Sequence, residues 1–212
     1  MFADREESRG TLATISAALL TGGASSRMGR DKAHLEIGGL PVASRISRLL
    51  AVLFEDVLIV GGDPPATVCG RRVADSEGPR CALRGVASAL AAASCERVLV
   101  VATDLPLLSA DVLLALVAWP EADAVVPRTA SGLQPLCALY RREPVLAVAR
   151  ARLADGRLAL RGLLDAVDTA TLEEADLARV DPEGTALLNV NTPEDLARAA
   201  GAQDSRDLGE TN

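Results

Sequence analysis

The stretch LLTGGASSRMGRDKAHLEIGG, Leu19 to Gly39, carries an apolar run into adjacent glycines, two serines, Arg27, Met28, Gly29, Asp31 and Lys32. Gly22 and Gly23 permit a tight turn and bring peptide N–H groups close to a ligand. Arg27 offers a planar fork for phosphate oxygens, and Lys32 a mobile point charge. The combination suits an anion, a polyphosphate above all. A bare Gly/Ser loop also reads as a surface turn, but the basic residues directly beyond it, after an apolar strand, favour the anion site. Two familiar phosphate loops are excluded. A P-loop needs Gly-Lys followed by Ser or Thr, whereas Arg30 and Asp31 follow Gly29, and adjacent glycines do not make G-x-G-x-x-G.

Outward from the loop, short apolar runs alternate with helical patterns. LATISAALL, DVLIV, RVLVVATD, ADAVVP, PLCALYR and ALLNV read as strands. VASRISRLLAVLF, ALRGVASALAAAS, SADVLLALVAW, EPVLAVARARLA, LRGLLDAV and TPEDLARAA read as helices, with Ser109 as an N-cap and Pro193 in a first turn. This alternation predicts a three-layer α/β domain with a mainly parallel sheet. Ligands of such sheets bind beyond the carboxyl ends of the strands, where the loop, Gly61 and Asp104 all fall. The expected division is a flexible leader over 1–11, one domain over 12–200 and a polar tail over 201–212.

Composition narrows the function. The chain has 212 residues, a formal charge of -7 and only 2% aromatics, so neither a nucleic-acid backbone nor stacked bases find a platform on it. One histidine, His34, excludes multi-histidine metal sites, and it reads as a peripheral or packing residue. Cys69, Cys81, Cys95 and Cys137 form no C-x-x-C pair and read as small hydrophobes in a reducing compartment. TLATISAALL is too short to span a bilayer, and its acidic flank does not suit a signal peptide. The expectation is a cytoplasmic protein that binds neither nucleic acid nor membrane.

The loop segment LLTGGASSRMGRDKAHLEIGGLPV resembles the signature L-[AT]-G-G-x-S-x-R-M-G-x-D-K of nucleotidyltransferases that activate sugars and cofactors. Within that superfamily the chain is most similar to the molybdenum cofactor guanylyltransferases. VATDLPLLS, QPLCALYRR and NVNTPEDLARA agree in order, so the resemblance covers about Ala17 to Ala200. It implies a Rossmann-like nucleotidyltransferase domain that transfers GMP from GTP to the terminal phosphate of molybdopterin, with Mg²⁺ and release of pyrophosphate. Proteins that mature molybdoenzymes are implied as transient partners. The nucleotide-binding residues it implies are Leu20, Thr21, Gly22, Gly23, Lys32, Gly61, Asp75 and Asp104. Arg27, Lys32 and Asp104 are the catalytic ones.

Asp104 ends an apolar strand. A carboxylate beside a polyphosphate repels it unless a hard cation sits between them, which points to Mg²⁺; a simple turn cap is the alternative. Asn189 and Asn191 share one side of an extended segment. Resemblance makes Asn191 the neutral metal ligand and Asn189 a brace for the loop, while Thr192 suits the helix cap. Gly61 stands where some relatives have Asn and so offers backbone alone. EGPRCALRGVASAL departs from the family's Gly-Pro-Leu-x-Gly at Ala82-Leu83-Arg84-Gly85. Arg157 and Arg161, four apart, would lie on one helix face, either to meet the acceptor's phosphate or as a solvated basic surface. Leu20-Thr21-Gly22-Gly23 is closer to the guanylyl pattern than to the Leu-Ala-Ala-Gly of relatives that use CTP. The alternatives are a cytidylyltransferase on molybdopterin, another sugar- or alcohol-phosphate nucleotidyltransferase, and a nucleotide-binding regulator.

Overall fold

The first strand, β1 (Ile15–Leu20), is buried along its whole length, as expected of a parallel strand covered on both faces. A computed structural model describes residues 12–22 and 32–209. Strand β1 pairs in parallel with β4 (Asp56–Val60) on one side and β6 (Arg97–Ala102) on the other. Beyond β4 lies β5 (Arg71–Val73), also parallel. Beyond β6 come β9 (Cys137–Arg141), β7 (Ala124–Thr129) and β10 (Thr169–Leu172), giving the order β10-β7-β9-β6-β1-β4-β5. Only β9 on this path runs antiparallel to its neighbours, and the short β8 (Gly132–Leu133) forms the hairpin that leads into it. A separate small ribbon, β2 (Glu36–Ile37) with β3 (Leu40–Pro41), follows the 3₁₀ turn Lys32–His34.

Alternate residues of β1 face opposite ways and enter two separate cores. Ala17 and Leu19 join α1 (Val42–Leu53) and α3 (Ala110–Ala118) on one face. Ala18 and Leu20 join α2 (Ala82–Ala92), α4 (Arg142–Ala154) and α5 (Leu160–Leu164) on the other. The three layers follow from this division. Ser109 caps α3 as expected, its hydroxyl accepting from Val112 N at 3.4 Å.

Three elements depart from the expectation. ALLNV, Ala186 to Val190, is an irregular buried segment instead of a strand. Its backbone donors are satisfied elsewhere: Ala186 N donates to the Asp181 carboxylate at 2.8 Å and Val190 N to the Asp104 carbonyl at 2.8 Å. The edge strand β10 occupies the expected strand's place in the count. The last helix, α7 (Pro193–Gly209), continues past Ala200 through residues assigned to a tail. Gln203 is buried and accepts from Arg45 on α1, which ties this extension to the body. A short α6 (Glu174–Leu177) completes the elements.

Candidate nucleotide site

The carboxyl ends of β6, β1, β4 and β5 lie side by side, and each delivers one part of the site. At the end of β1, Thr21 N donates to Val60 O at 3.0 Å and its hydroxyl to Gly61 O at 2.6 Å. The Thr21 hydroxyl is therefore turned inward, locking β1 to β4. Leu20 is buried on the α2 face, where a Cβ on Gly85 would stand 3.3 Å from its Cδ1. Gly22 is exposed at the mouth. Gly23 and Arg27 lie outside the described residues.

At the end of β4, Gly61 and Gly62 take φ of +66° and +60°, a region that L side chains rarely adopt. A Cβ on Gly62 would come within 2.5 Å of Thr21 O, and one on Gly61 within 2.7 Å of Asp75 Oδ2. The Asn found here in some relatives would not fit beside this carboxylate. Gly61 is also not a free backbone donor: its N–H is held by Val73 O at 2.9 Å. It contributes shape. Asp75, just past β5, accepts from Arg84 Nη2 at 2.9 Å.

At the end of β6, Asp104 is half-buried, and its Oδ1 is shielded from solvent with no hydrogen-bond partner among the described residues. Burial pushes this carboxyl up, and the Lys32 charge pulls against that. Lys32 Nζ donates to Asn191 Oδ1 at 2.6 Å. Lys32, Asn191 and Asp104 are thus gathered from residues far apart in the chain. The Asn191 oxygen that would meet a metal is here engaged by the ammonium. Among the described residues no group of three His, Cys, Asp or Glu side chains forms a metal cluster. A cation at Asp104 would therefore take one carboxylate and complete its shell from neutral oxygens and a ligand's phosphates, the donor set that Mg²⁺ accepts. The orphaned Oδ1 fits that role.

The remaining readings sort cleanly. Asn189 Nδ2 donates to Gln134 Oε1 at 3.1 Å, bracing the NVNT segment. Thr192 caps α7: Asp195 N donates to its hydroxyl at 3.1 Å, and the Asp195 carboxylate accepts from Asn191 N and Thr192 N at 3.0 Å each, a reciprocal cap. His34 is exposed, with Nε2 2.8 Å from Asp63 O. Cys137 is buried beside Asp104, and burial with that charge pushes its thiol up to about 12; none of the four cysteines is in a disulfide, and the other three are half-buried. Arg157 and Arg161 do not share a helix face. Gly156 turns the chain at φ +70°, so Arg157 lies between α4 and α5, paired with Asp155, while Arg161 sits on α5. Both are exposed.

Two residues of the site were not singled out from sequence. Gln134 anchors Asn189 and also donates to Thr129 Oγ1 at 3.0 Å, and its place in QPLCALYRR was the only signal. Arg84 appeared merely as a departure from a motif.

A mainly parallel sheet between two helical layers, with Gly22 following β1 and a carboxylate oxygen unpartnered among the described residues after β6, is the architecture of a nucleotide-binding α/β domain of the nucleotidyltransferase class. Crystal structures share this fold. A molybdopterin-guanine dinucleotide biosynthesis protein A from Archaeoglobus fulgidus superposes with a TM-score of 0.77 at 21% identity, covering 90% of this chain and 99% of that one. A putative protein from Aquifex aeolicus gives 0.70 at 27% identity, covering 85% and 94%. The model of the MobA-like NTP transferase domain matches residues 17–174, and the chain belongs to that family. A probable molybdenum cofactor guanylyltransferase of Chloroflexus aggregans is 35% identical over 86% of this chain and 91% of its own length. The molybdenum cofactor guanylyltransferase of Desulfosudis oleivorans is 30% identical over 89% and 95%.

Proposed function

We propose that the protein transfers GMP from GTP to the terminal phosphate of molybdopterin, releasing pyrophosphate. The observation that carries the reading is the Asp104 carboxylate with an orphaned oxygen, beside Lys32 and Asn191, in a chain whose relatives bear that activity's name. Asp104, with Asn191 adjacent, would hold Mg²⁺, which when bound neutralises phosphate charge and acts as a Lewis acid. The chain's own residues mainly position and neutralise. The Gly22 turn presents backbone to the phosphates. Lys32 and Arg27 balance the charge that develops toward pyrophosphate. No side chain is needed as general base, because a phosphate monoester with a second pKa of about 6 is already largely ionised near neutral pH.

No helix of the described residues is long and apolar enough to cross a membrane. The working reading is a cytoplasmic enzyme whose partners are its two substrates and, transiently, the proteins that mature molybdoenzymes. The test is pyrophosphate release from the purified protein with Mg²⁺ and molybdopterin, offering GTP, CTP, ATP and UTP separately. Release with GTP alone is expected. Release with CTP alone keeps the mechanism and moves the base assignment; silence with all four, from folded protein that binds a nucleotide, overturns the acceptor or makes the chain a regulator.

A further inference from the structure

We infer that Gln134 is a positioning residue of the candidate cation site: its amide fixes the Asn189 side chain and, through it, holds Asn191 in place beside Asp104. The inference rests on the reading above, in which Asp104 and Asn191 hold the cation.

The segment from Asn189 to Asn191 needs outside support. It belongs to no strand, so no ladder of backbone bonds sets its place. Two ties flank its centre. Val190 N donates to the Asp104 carbonyl at 2.8 Å and fastens the segment to the end of β6. Asn189 Nδ2 donates to Gln134 Oε1 at 3.1 Å and fastens it to the connection between β8 and β9, 55 positions away. Asn191 stands just past the buried Val190, so freedom at Asn189 becomes freedom at Asn191.

Gln134 is itself locked. Its N–H donates to Pro127 O on β7 at 2.9 Å, and its carbonyl accepts from Cys137 N, at the start of β9, at 3.0 Å. The main chain thus holds the β7–β8 hairpin to β9 without the Gln134 side chain. That side chain reaches further. Its Nε2 donates to Thr129 Oγ1 at 3.0 Å, Ser131 Oγ at 3.1 Å and Gly132 O at 3.4 Å. A carbonyl oxygen only accepts, so Gly132 turns the amino end of the amide toward the hairpin and leaves Oε1 for Asn189. The result is a strut engaged at both ends and set in one orientation. Gln134 and Asn189 are both half-buried, where water competes less for such bonds.

The test is Mn²⁺ binding to the full chain with GTP and without acceptor. It is read from the paramagnetic resonance of free Mn²⁺ against GTP alone. The proteins are the wild type, Q134L, Q134E, N189L and the two double variants. Q134L removes both ends of the strut and should weaken Mn²⁺ about tenfold, the lower figure for losing a partner behind a metal ligand. Q134E keeps the acceptor for Asn189, and the Thr129 and Ser131 hydroxyls can turn to donate to it, so most of the affinity should return. N189L should cost as much as Q134L, and neither change at 134 should matter further in that background. Where thermal melting finds Q134L unfolded, Q134N takes its place with the same expected loss, being polar and one methylene too short to reach both partners. Wild-type affinity in Q134L, or a loss that persists undiminished in N189L, makes Gln134 a hairpin residue and overturns the inference alone. A wild type whose GTP complex takes up no Mn²⁺ beyond GTP itself overturns the cation assignment, and this inference with it.

Discussion

Two aspartates at opposite ends of the sheet show how differently one side chain is used. Asp56 opens β4 at the amino edge, and its carboxylate is saturated. Ser16 Oγ and Ser94 Oγ donate to Oδ2 at 2.6 Å each, Ser94 N donates at 3.1 Å, and Arg71 Nε meets Oδ1 at 3.1 Å. Burial pushes this carboxyl up, but the hydrogen bonds outweigh burial and hold it at about 2. Asp104 follows β6 at the carboxyl edge, with an oxygen shielded and orphaned, and burial pushes it up. A carboxylate with every lone pair answered clasps β1, β4, β5 and the entry to β6 together. One left unanswered among the described residues is the proposed place for a cation. Partnering decides the role.

The comparison breaks most sharply at Asp104. D104A should lower pyrophosphate release by about 10³-fold, the scale of removing a principal electrostatic stabiliser, while leaving thermal stability equal or higher, because an unsatisfied shielded charge is removed. A variant that turns over normally would sink the metal assignment. A variant that unfolds would make Asp104 a second clasp.

Asp56 should show the reverse. Its folded pKa is depressed from 3.8 to about 2, so ionisation favours the fold by at most about 2.5 kcal/mol, at roughly 1.4 kcal/mol per unit, and by less once solvent screening at this partly exposed carboxylate is counted. The sign follows directly: this stability is fully present above pH 4 and is lost as pH falls from about 4 through about 2. Urea unfolding across that range should show the slope in the wild type and its absence in D56N, whose turnover at neutral pH stays within about twofold because Asp56 lies at the opposite edge from the site. The smallest effect sharpens the same point: S94A removes one of the hydroxyl donors, leaves the backbone bond from residue 94, and should cost about 1 kcal/mol of stability with no change in turnover.

Much of this was legible in the chain. LATISAALL reads as a buried first strand because it is a short, mostly apolar run, and within it β1 is buried on both faces. Asp104 was marked by its place after RVLVVAT, and Thr192 by the proline that follows it. ALLNV misled because its composition is that of a strand; the decision lay with Asp181 and Asp104, whose oxygens take its backbone donors. The edge strands β5 and β10 escaped notice because their short, half-exposed runs carry little apolar signal and draw their stability from one parallel neighbour. The spacing of Arg157 and Arg161 would have put them on one face of a helix, but α5 begins only at Leu160, so Arg157 lies before it and Arg161 within it.

The sequence by itself determined the layering and the strands that lead to the candidate site, since periodicity and apolar runs are local properties of the chain. Only the tertiary structure decided which of those residues meet. Lys32 reaches Asn191 across 159 positions, Gln134 braces Asn189, and Arg84 finds Asp75 across a loop. It also turned the Thr21 hydroxyl inward and, among the described residues, left Asp104 Oδ1 without a partner. The reason is that hydrogen-bond satisfaction is settled by the packing of distant segments, and no stretch of chain carries its own answer.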